Sequence, residues 1–414
     1  MSQTLVKVKQ ETEADQLKRA FVKVMVEISQ IIPETPTLED IAIFEPSIEH
    51  LKIAPDNLIE WLDDDYLISA FVGVARFYKG QGQYNSAERY FDNCLEAVQS
   101  RLGDNHPDVA TSLNNLAGLY QSQGRYTEAE PLYLEALDLH KRLLGDNHPD
   151  VATSLNNLAA LYRSQGRYTE AEALFLQALD LRKRLLGDND PHVATSLNNL
   201  AGLYKSQGRY TEAEPLYLEA LDLRKRLLGD NDPLVAQSLN NLASLYESQG
   251  RYTEAEPLYL EALDLYKRLF RDNHPLVATS LNNLAQLYKY QGRYTEAEPL
   301  YLEALDLYKR LFRDNHPLVA TSLNNLAELY YFQGRYTEAE PLLLEALDLR
   351  KRLLRDNHPD LATSLNNLAQ LYKYQGRYLE AEPLYLQALA IAEQALGENH
   401  PTTVRIRENL ESLP

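Results

Sequence analysis

Residues 107–148 read PDVATSLNNLAGLYQSQGRYTEAEPLYLEALDLHKRLLGDNH, and the stretch returns almost unchanged six more times. Its string Ser-Leu-Asn-Asn-Leu-Ala begins at Ser112, Ser154, Ser196, Ser238, Ser280, Ser322 and Ser364, always 42 residues apart. Seven units therefore abut without a linker: 107–148, 149–190, 191–232, 233–274, 275–316, 317–358 and 359–400. A fixed period of this length marks a stacked architecture, because one such unit cannot bury its apolar face alone and its neighbours complete the core.

Each unit reads as two helices. Pro107 opens the first, where its missing N–H has no partner to lose. Val109, Leu113, Leu116, Ala117 and Tyr120 then share one helical face. Gly124, in Gln-Gly-Arg-Tyr, suits the left-handed residue that ends a helix. Thr127 and Glu130 have the spacing of a capping box for the second helix. That helix turns Ala129, Leu132, Tyr133, Ala136, Leu137, Leu143 and Leu144 inward, with Pro131 as a local conflict. Asp146-Asn147-His148 closes the unit before Pro149.

The same offset extends upstream. Phe71, Val74, Ala75, Tyr78, Gly82, Tyr84, Ala87 and Phe91 make residues 66–106 a diverged first repeat. Downstream, 401–414 aligns with a first helix. Arg407 and Glu411 replace an interior leucine and an alanine, as expected of a polar capping helix. Residues 1–65 form a further segment. Leu17, Phe21, Val24, Met25, Ile28 and Ile32 predict an amphipathic helix stopped by Pro33. Thr37 caps a short piece with Ile41 and Phe44, and Pro46 and Pro55 punctuate the residues beyond it. The region is expected to cover the first repeat, or to dock another domain.

Bulk properties exclude several functions. The net charge of −19 disfavours binding to nucleic-acid phosphates or anionic membranes. One cysteine, Cys94, permits no internal disulfide. No apolar run reaches membrane-span length and no signal peptide is visible, so the expected location is cytoplasmic.

These residues resemble the tetratricopeptide repeat, whose small–large pattern appears as Leu116-Ala117, Tyr120, Ala129, Tyr133 and Ala136. The 42-residue form, with Leu-Asn-Asn-Leu-Ala, Gln-Gly-Arg-Tyr and Asp-Asn-His-Pro, is similar to kinesin light chain repeats. The resemblance covers roughly 66–410. It implies an all-α fold, a right-handed superhelical solenoid of antiparallel helix pairs whose first helices line a concave surface. The heptads that precede the array in kinesin light chains have no counterpart in 1–65. Similar arrays occur beside nucleotide-driven signalling domains, but this chain has no Gly-x-x-x-x-Gly-Lys loop.

Candidate chemistry divides into structural and binding readings. His106, His148, His274, His316, His358 and His400 recur at one position, with Asp190 and Asp232 in two copies. Equivalent positions on stacked helices lie about 10 Å apart, too far to share a metal ion, so they read as caps. Cys94 takes the place of Ala136 and reads as a core residue. Acids early and bases late in the second helices match the helix dipole. No nucleophile–base pair, metal set or cofactor motif is present, and the chain reads as a binding protein, not an enzyme.

The paired asparagines have two readings. Asn114, Asn156, Asn198, Asn240, Asn282, Asn324 and Asn366, each followed by a second such as Asn241, Asn283 or Asn325, either hold the backbone of an extended peptide or bond between repeats. Differences between copies point to the first helices as a groove. One position reads Gly118, Ala160, Gly202, Ser244, Gln286, Glu328, Gln370. The next reads Gln121, Arg163, Lys205, Glu247, Lys289, Tyr331, Lys373. A third reads Ser122, Ser164, Ser206, Ser248, Tyr290, Phe332, Tyr374. Aromatic residues and cations are typical hot spots. The expected ligand is a protein or peptide with acidic and aromatic or apolar residues, its apolar part over 275–400. The alternative function is the sensor or regulatory arm of a bacterial-type signalling system whose effector lies elsewhere.

Overall fold

The computed structural model describes residues 12–33, 36–312 and 314–414. Nineteen α-helices run through them: α1 Glu13–Gln30, α2 Leu38–Asn57, α3 Leu67–Gly80 and α4 Tyr84–Leu102 come first. Seven pairs come next: α5 Pro107–Ser122 with α6 Tyr126–Leu144, α7 Pro149–Ser164 with α8 Tyr168–Leu186, α9 Pro191–Ser206 with α10 Tyr210–Leu228, and α11 Pro233–Ser248 with α12 Tyr252–Phe270. The series continues with α13 Pro275–Tyr290 and α14 Tyr294–Phe312, α15 Pro317–Phe332 and α16 Tyr336–Leu353, α17 Pro359–Tyr374 and α18 Tyr378–Leu396, then α19 Pro401–Glu411. The chain divides into two compact units, one ending at Ser112 and the other spanning Leu113–Pro414.

In the first unit, α1 and α2 both pack on α3. Val22 and Val26 are buried, and Ser29 Oγ donates to the Ser69 carbonyl at 2.9 Å. A Cβ on Gly73 would lie 2.0 Å from Ser29 Oγ, so only glycine admits this approach. Thr12 and Thr37 both cap through boxes, with Asp15 and Asp40. The predicted short segment after Thr37 is instead a 20-residue helix that carries Pro46 and Pro55 inside it. Each proline forfeits one main-chain bond, and the buried face at Ile41, Phe44, Ile48, Leu51 and Ala54 holds the helix through them. Cys94 is buried beside Ser112 Oγ at 3.7 Å, and burial pushes its thiol up to about 12.

In the second unit, each second helix packs on the first helix of the next pair, and from α8 on each also packs on its own first helix. Fully buried alanines such as Ala159, Ala171 and Ala178 let the helices approach, and Phe175 or Tyr217 fills the space between. The predicted capping box is absent. Each second helix begins one residue before the threonine, at Tyr126 or Tyr168, so the preceding arginine is the N-cap and lends no side-chain cap bond. That arginine bridges copies. Arg167 binds Glu170 of its own helix and Glu130 of the preceding copy, both at 2.7 Å, and lies 3.8 Å over the Tyr162 ring. The bridge recurs down to Arg377–Glu340 at 2.9 Å. The histidines are N-caps: His148 Nδ1 accepts from the Asp150 N–H at 3.2 Å, and Asp190 does the same in its copy.

One position of the second helix reaches polar atoms in the next copy. His140 Nδ1 meets Ser154 Oγ at 2.9 Å, and buried Arg224 donates to Ser238 Oγ at 2.9 Å and the Leu234 carbonyl at 2.9 Å. Tyr266 and Tyr308 replace that group in two copies. His140 therefore takes the last inward position of α6, and Leu143, expected inside, is exposed.

The array also meets itself within this second unit. Because His358 Nδ1 accepts from the Asp360 N–H, its Nε2 carries the proton and donates to the Ser122 carbonyl at 3.4 Å. Gly124 has φ 70°, and a Cβ there would lie 2.5 Å from Pro359 Cδ. A Cβ on Gly166 would lie 2.8 Å from the His400 ring.

Candidate functional site: the inner face of the first helices

The variable positions of α7 to α17 come together as neighbours from one copy to the next. Gln286 Nε2 donates to Glu247 Oε1 at 2.8 Å, Lys205 Nζ donates to Ser244 Oγ, and Lys289 pairs with Glu328 at 2.8 Å. Tyr290, Phe332 and Tyr374 stand about half exposed (49%, 50% and 58%) at one register of α13, α15 and α17. Tyr331 joins the last two, edge-to-face with Tyr374 at 5.0 Å and with Phe332 at 5.5 Å.

The cations are less available than their positions suggest. The Lys289 side chain is 2% exposed, and its ammonium lies 4.8 Å from the Tyr290 ring centre and 5.6 Å from that of Phe332. It builds the aromatic patch from beneath. Lys205 is bound to Ser244 and Lys373 to Ser412 Oγ. Arg163 lies beside Gly202, where a Cβ would be 2.9 Å from its guanidinium.

The asparagines bond between copies. Asn114 donates to Ser154 and Asn240 to Ser280, at 3.2 and 2.9 Å. The second asparagine of a copy reaches back: Asn199 donates to Asn156, Asn241 to Asn198 and Asn409 to Asn366, each at 2.9 Å. Ser322 Oγ lies 3.5 Å from Asn282 Oδ1. Asn240, Asn282, Asn324 and Asn366 are buried, while Asn283 and Asn325 are half-buried. Inter-repeat bonding thus engages most of the first asparagines.

One rung differs. Asn324 gives its amide hydrogens to the Ala320 carbonyl and Ser364 Oγ, and its buried Oδ1 has no hydrogen-bond partner among the described residues. Asn367, which by analogy would donate to it, instead accepts from Asn366. Both border a cavity of about 90 Å³ between α15, α16 and α17, with Tyr331, Phe332, Glu328 and Leu343 around it. The hydroxyls of Tyr301 and Tyr385 are likewise buried without a partner among the described residues.

Glu247 was no predicted site residue, yet it is the buried acid of this face. Burial raises its carboxyl above the usual range, against hydrogen bonds from Gln286 and Tyr259 and the charges of Lys205 and Lys289. The folded chain therefore holds a proton that the unfolded chain releases, and stability drains away as pH rises through the raised value. Glu247→Gln is expected to gain more stability over the parent at pH 8 than at pH 4. Paired thermal melts check this; an equal gain at both would refute it. A signal for Glu247 was present, as the one acid at its position. Leu343 was equally visible, as the one aliphatic residue in the series Tyr133, Phe175, Tyr217, Tyr259, Tyr301, Leu343, Tyr385.

The tetratricopeptide repeat profile matches 66–130, 108–184, 151–226, 192–268, 234–310, 276–352, 318–394 and 360–413. No curated protein matches the chain. Among solved structures it is similar to BtubC (BKLC) from P. vanneervenii, at 29% identity over 58% of this chain and 94% of that one, with a TM-score of 0.43. It is also similar to a Rap protein complexed with competence and sporulation factor, at 16% identity over 92% and 98%, TM-score 0.58. The apo quorum sensor NprR from B. thuringiensis gives 18% identity over 92% and 99%, TM-score 0.54. With profile matches running from residue 66 to 413 over helix pairs turned at glycine and clamped by the same arginine, the chain belongs to the tetratricopeptide repeat family.

Proposed function

We propose that the protein is a binding scaffold, not an enzyme, and that it holds an extended peptide along the inner face of α7 to α17. The observation that carries this is the row of half-exposed Tyr290, Phe332 and Tyr374 beside an open cavity. Large aromatic side chains left half in water cost solvation, and contact with a partner recovers it. The family is one of interaction modules, and the Rap structure is described as complexed with a factor. The ligand's aromatic or large apolar residues meet the patch over 275–400. Its acidic character rests on Arg163 and Lys373 at the two ends, since Lys289 is already paired.

A random linear peptide library selected on the immobilised protein tests this. The wild type enriches peptides bearing an aromatic or large apolar residue. Tyr290→Ser, Phe332→Ser and Tyr374→Ser together weaken those peptides by at least about tenfold, as loss of hot-spot residues does. The melting curve hardly moves, because surface changes cost about 0.5 kcal/mol or less. Equal affinity for both proteins sinks the proposal.

A further inference from the structure

The second helices of the array are near-copies of one another, and α18 departs from the others on its solvent side. Where α6 has Thr127, Asp138 and Arg142, the next five second helices repeat threonine, aspartate and arginine, but α18 has Leu379, Ala390 and Gln394. In the sisters that aspartate and arginine pair across one turn, from Arg142–Asp138 at 2.9 Å to Arg352–Asp348 at 3.0 Å. Copy 359–400 has lost both members of the pair together.

These changes join up into one apolar stripe. Residues 379, 383, 386 and 390 follow steps of four, three and four, which keeps them on one helical face. Leu379 is 91% exposed and Leu386 51%, with Pro383 and Ala390 exposed on the same line. In α6 the equivalent Pro131 and Leu134 are also exposed, but Thr127 bounds them at one end and the ion pair at the other. A single leucine in water is ordinary, whereas a continuous apolar row marks a contact surface.

The charges beside the stripe narrow the partner. Glu382 takes the position of Glu130, which holds Arg167 of the next copy at 2.7 Å, and of Glu340, which holds Arg377 at 2.9 Å. Glu380 and Glu393 are engaged by Arg377 and Arg407. Glu382 is exposed and has no ion pair among the described residues. No lysine or arginine lies in α18 itself. A second copy of this face would set acids against acids. The stripe is also only about 17 Å long, short for the roughly 800 Å² per partner of a stable dimer. A single helix with apolar residues at matching steps and a basic flank meets neither obstacle.

We propose that the solvent face of α18 docks an amphipathic helix of a partner protein, whose large apolar residues lie along Leu379, Pro383, Leu386 and Ala390 and whose arginine or lysine binds Glu382. The partner's cation does from outside what Arg167 and Arg377 do between copies. This surface is separate from the inner face, and the proposal does not rest on the peptide-binding reading.

The decisive variant returns α18 to its sisters: Leu379→Thr, Ala390→Asp and Gln394→Arg together. The fold is expected to accept it, since six copies already carry these residues, and an unchanged or higher melting temperature verifies that. The probe is a phage-displayed library of helical peptides of about 18 residues, five turns, randomised on one face and selected on the whole chain. Wild type enriches peptides with large apolar residues at steps of three and four beside arginine or lysine. The strongest of them, synthesised and followed by fluorescence anisotropy, binds the reverted variant at least about tenfold more weakly, as loss of central contacts gives. The reverted chain is one charge more negative, so non-specific attraction of a basic peptide would not fall. Glu382→Gln weakens the peptide about threefold, the worth of an exposed ion pair. The variant with Tyr290, Phe332 and Tyr374 changed to serine binds it like wild type. No enrichment, equal binding by the reverted variant, or loss in the serine variant each overturns the proposal. A wild-type dimer in sedimentation velocity that the reversion dissociates also overturns it, because the occupant is then a second copy.

Discussion

Tyr259→Ala lowers the stability of the array by about 3–5 kcal/mol, the usual cost of removing a buried aromatic ring. Tyr259 is 1% exposed, in α12 at the middle of the repeats, and belongs to the continuous buried core of the array. Its hydroxyl also holds Glu247 Oε2 at 3.0 Å. The alanine variant therefore leaves a cavity and, in addition, a buried carboxylate with one hydrogen bond fewer. Tyr259→Phe removes only the second part and is expected to cost about 1–2 kcal/mol. The position matters as well as the residue. An array is stabilised by each copy and by each interface, so a weak copy in the centre lets the two halves unfold separately. Urea unfolding monitored by circular dichroism should show one transition for the parent and a broadened or double one for Tyr259→Ala. A shift below about 1 kcal/mol would mean that the ring is not packed in that core.

Arg224→Ala is expected to cost about 3 kcal/mol, whereas Arg224→Tyr is neutral or stabilising by up to about 2 kcal/mol. Arg224 is 2% exposed, yet it bonds to neutral oxygens of Leu234, Gln237 and Ser238, and its Nε has no partner among the described residues. Burial pulls its pKa down, against the nearby charge of Asp232. A buried cation without a paired carboxylate is a standing cost, and truncating it strands three acceptors instead. Tyrosine avoids both. Tyr308 occupies this position two copies on and meets Thr279 Oγ1 at 2.7 Å, and Thr195 stands at the matching place for residue 224. Denaturant midpoints of the two variants against the parent decide it; equal losses would mean that the charge itself contributes.

Much of the fold is legible because identical units report their own register. The repeat bounds, the proline starts and the glycine ends derive from the string around Ser112, and the helices begin at those prolines. The second-helix cap is misleading, because Thr127 and Glu130 have the right spacing but start two residues late. The arginine that replaces the cap acts between copies, and no single-unit reading shows that. Helical geometry puts the variable positions on one face, but geometry gives a direction and not a reach. Lys289 is long enough to fold under Tyr290 and reach Glu328, so a residue expected to meet ligand became part of the wall. The asparagines divide on the same ground, since bonding partners 40 and 43 residues away are invisible until the copies are stacked. In the first unit Pro46 and Pro55 weigh less than a continuous apolar face.

The touch between Ser122 and His358 changes what the number of copies means. Without it, an added copy would lengthen the array and nothing more, and each end would fray on its own. With it, residues 236 apart share one contact, so melting at one end withdraws support from the other. Five copies would contain none of these contacts, six would hold that of His358 with Ser122, and seven add Pro359 against Gly124 and His400 against Gly166. Each duplication beyond the fifth thus adds a lateral tie as well as a link. Copy number in such a chain acts as a stiffness setting, adjusted in steps of one repeat.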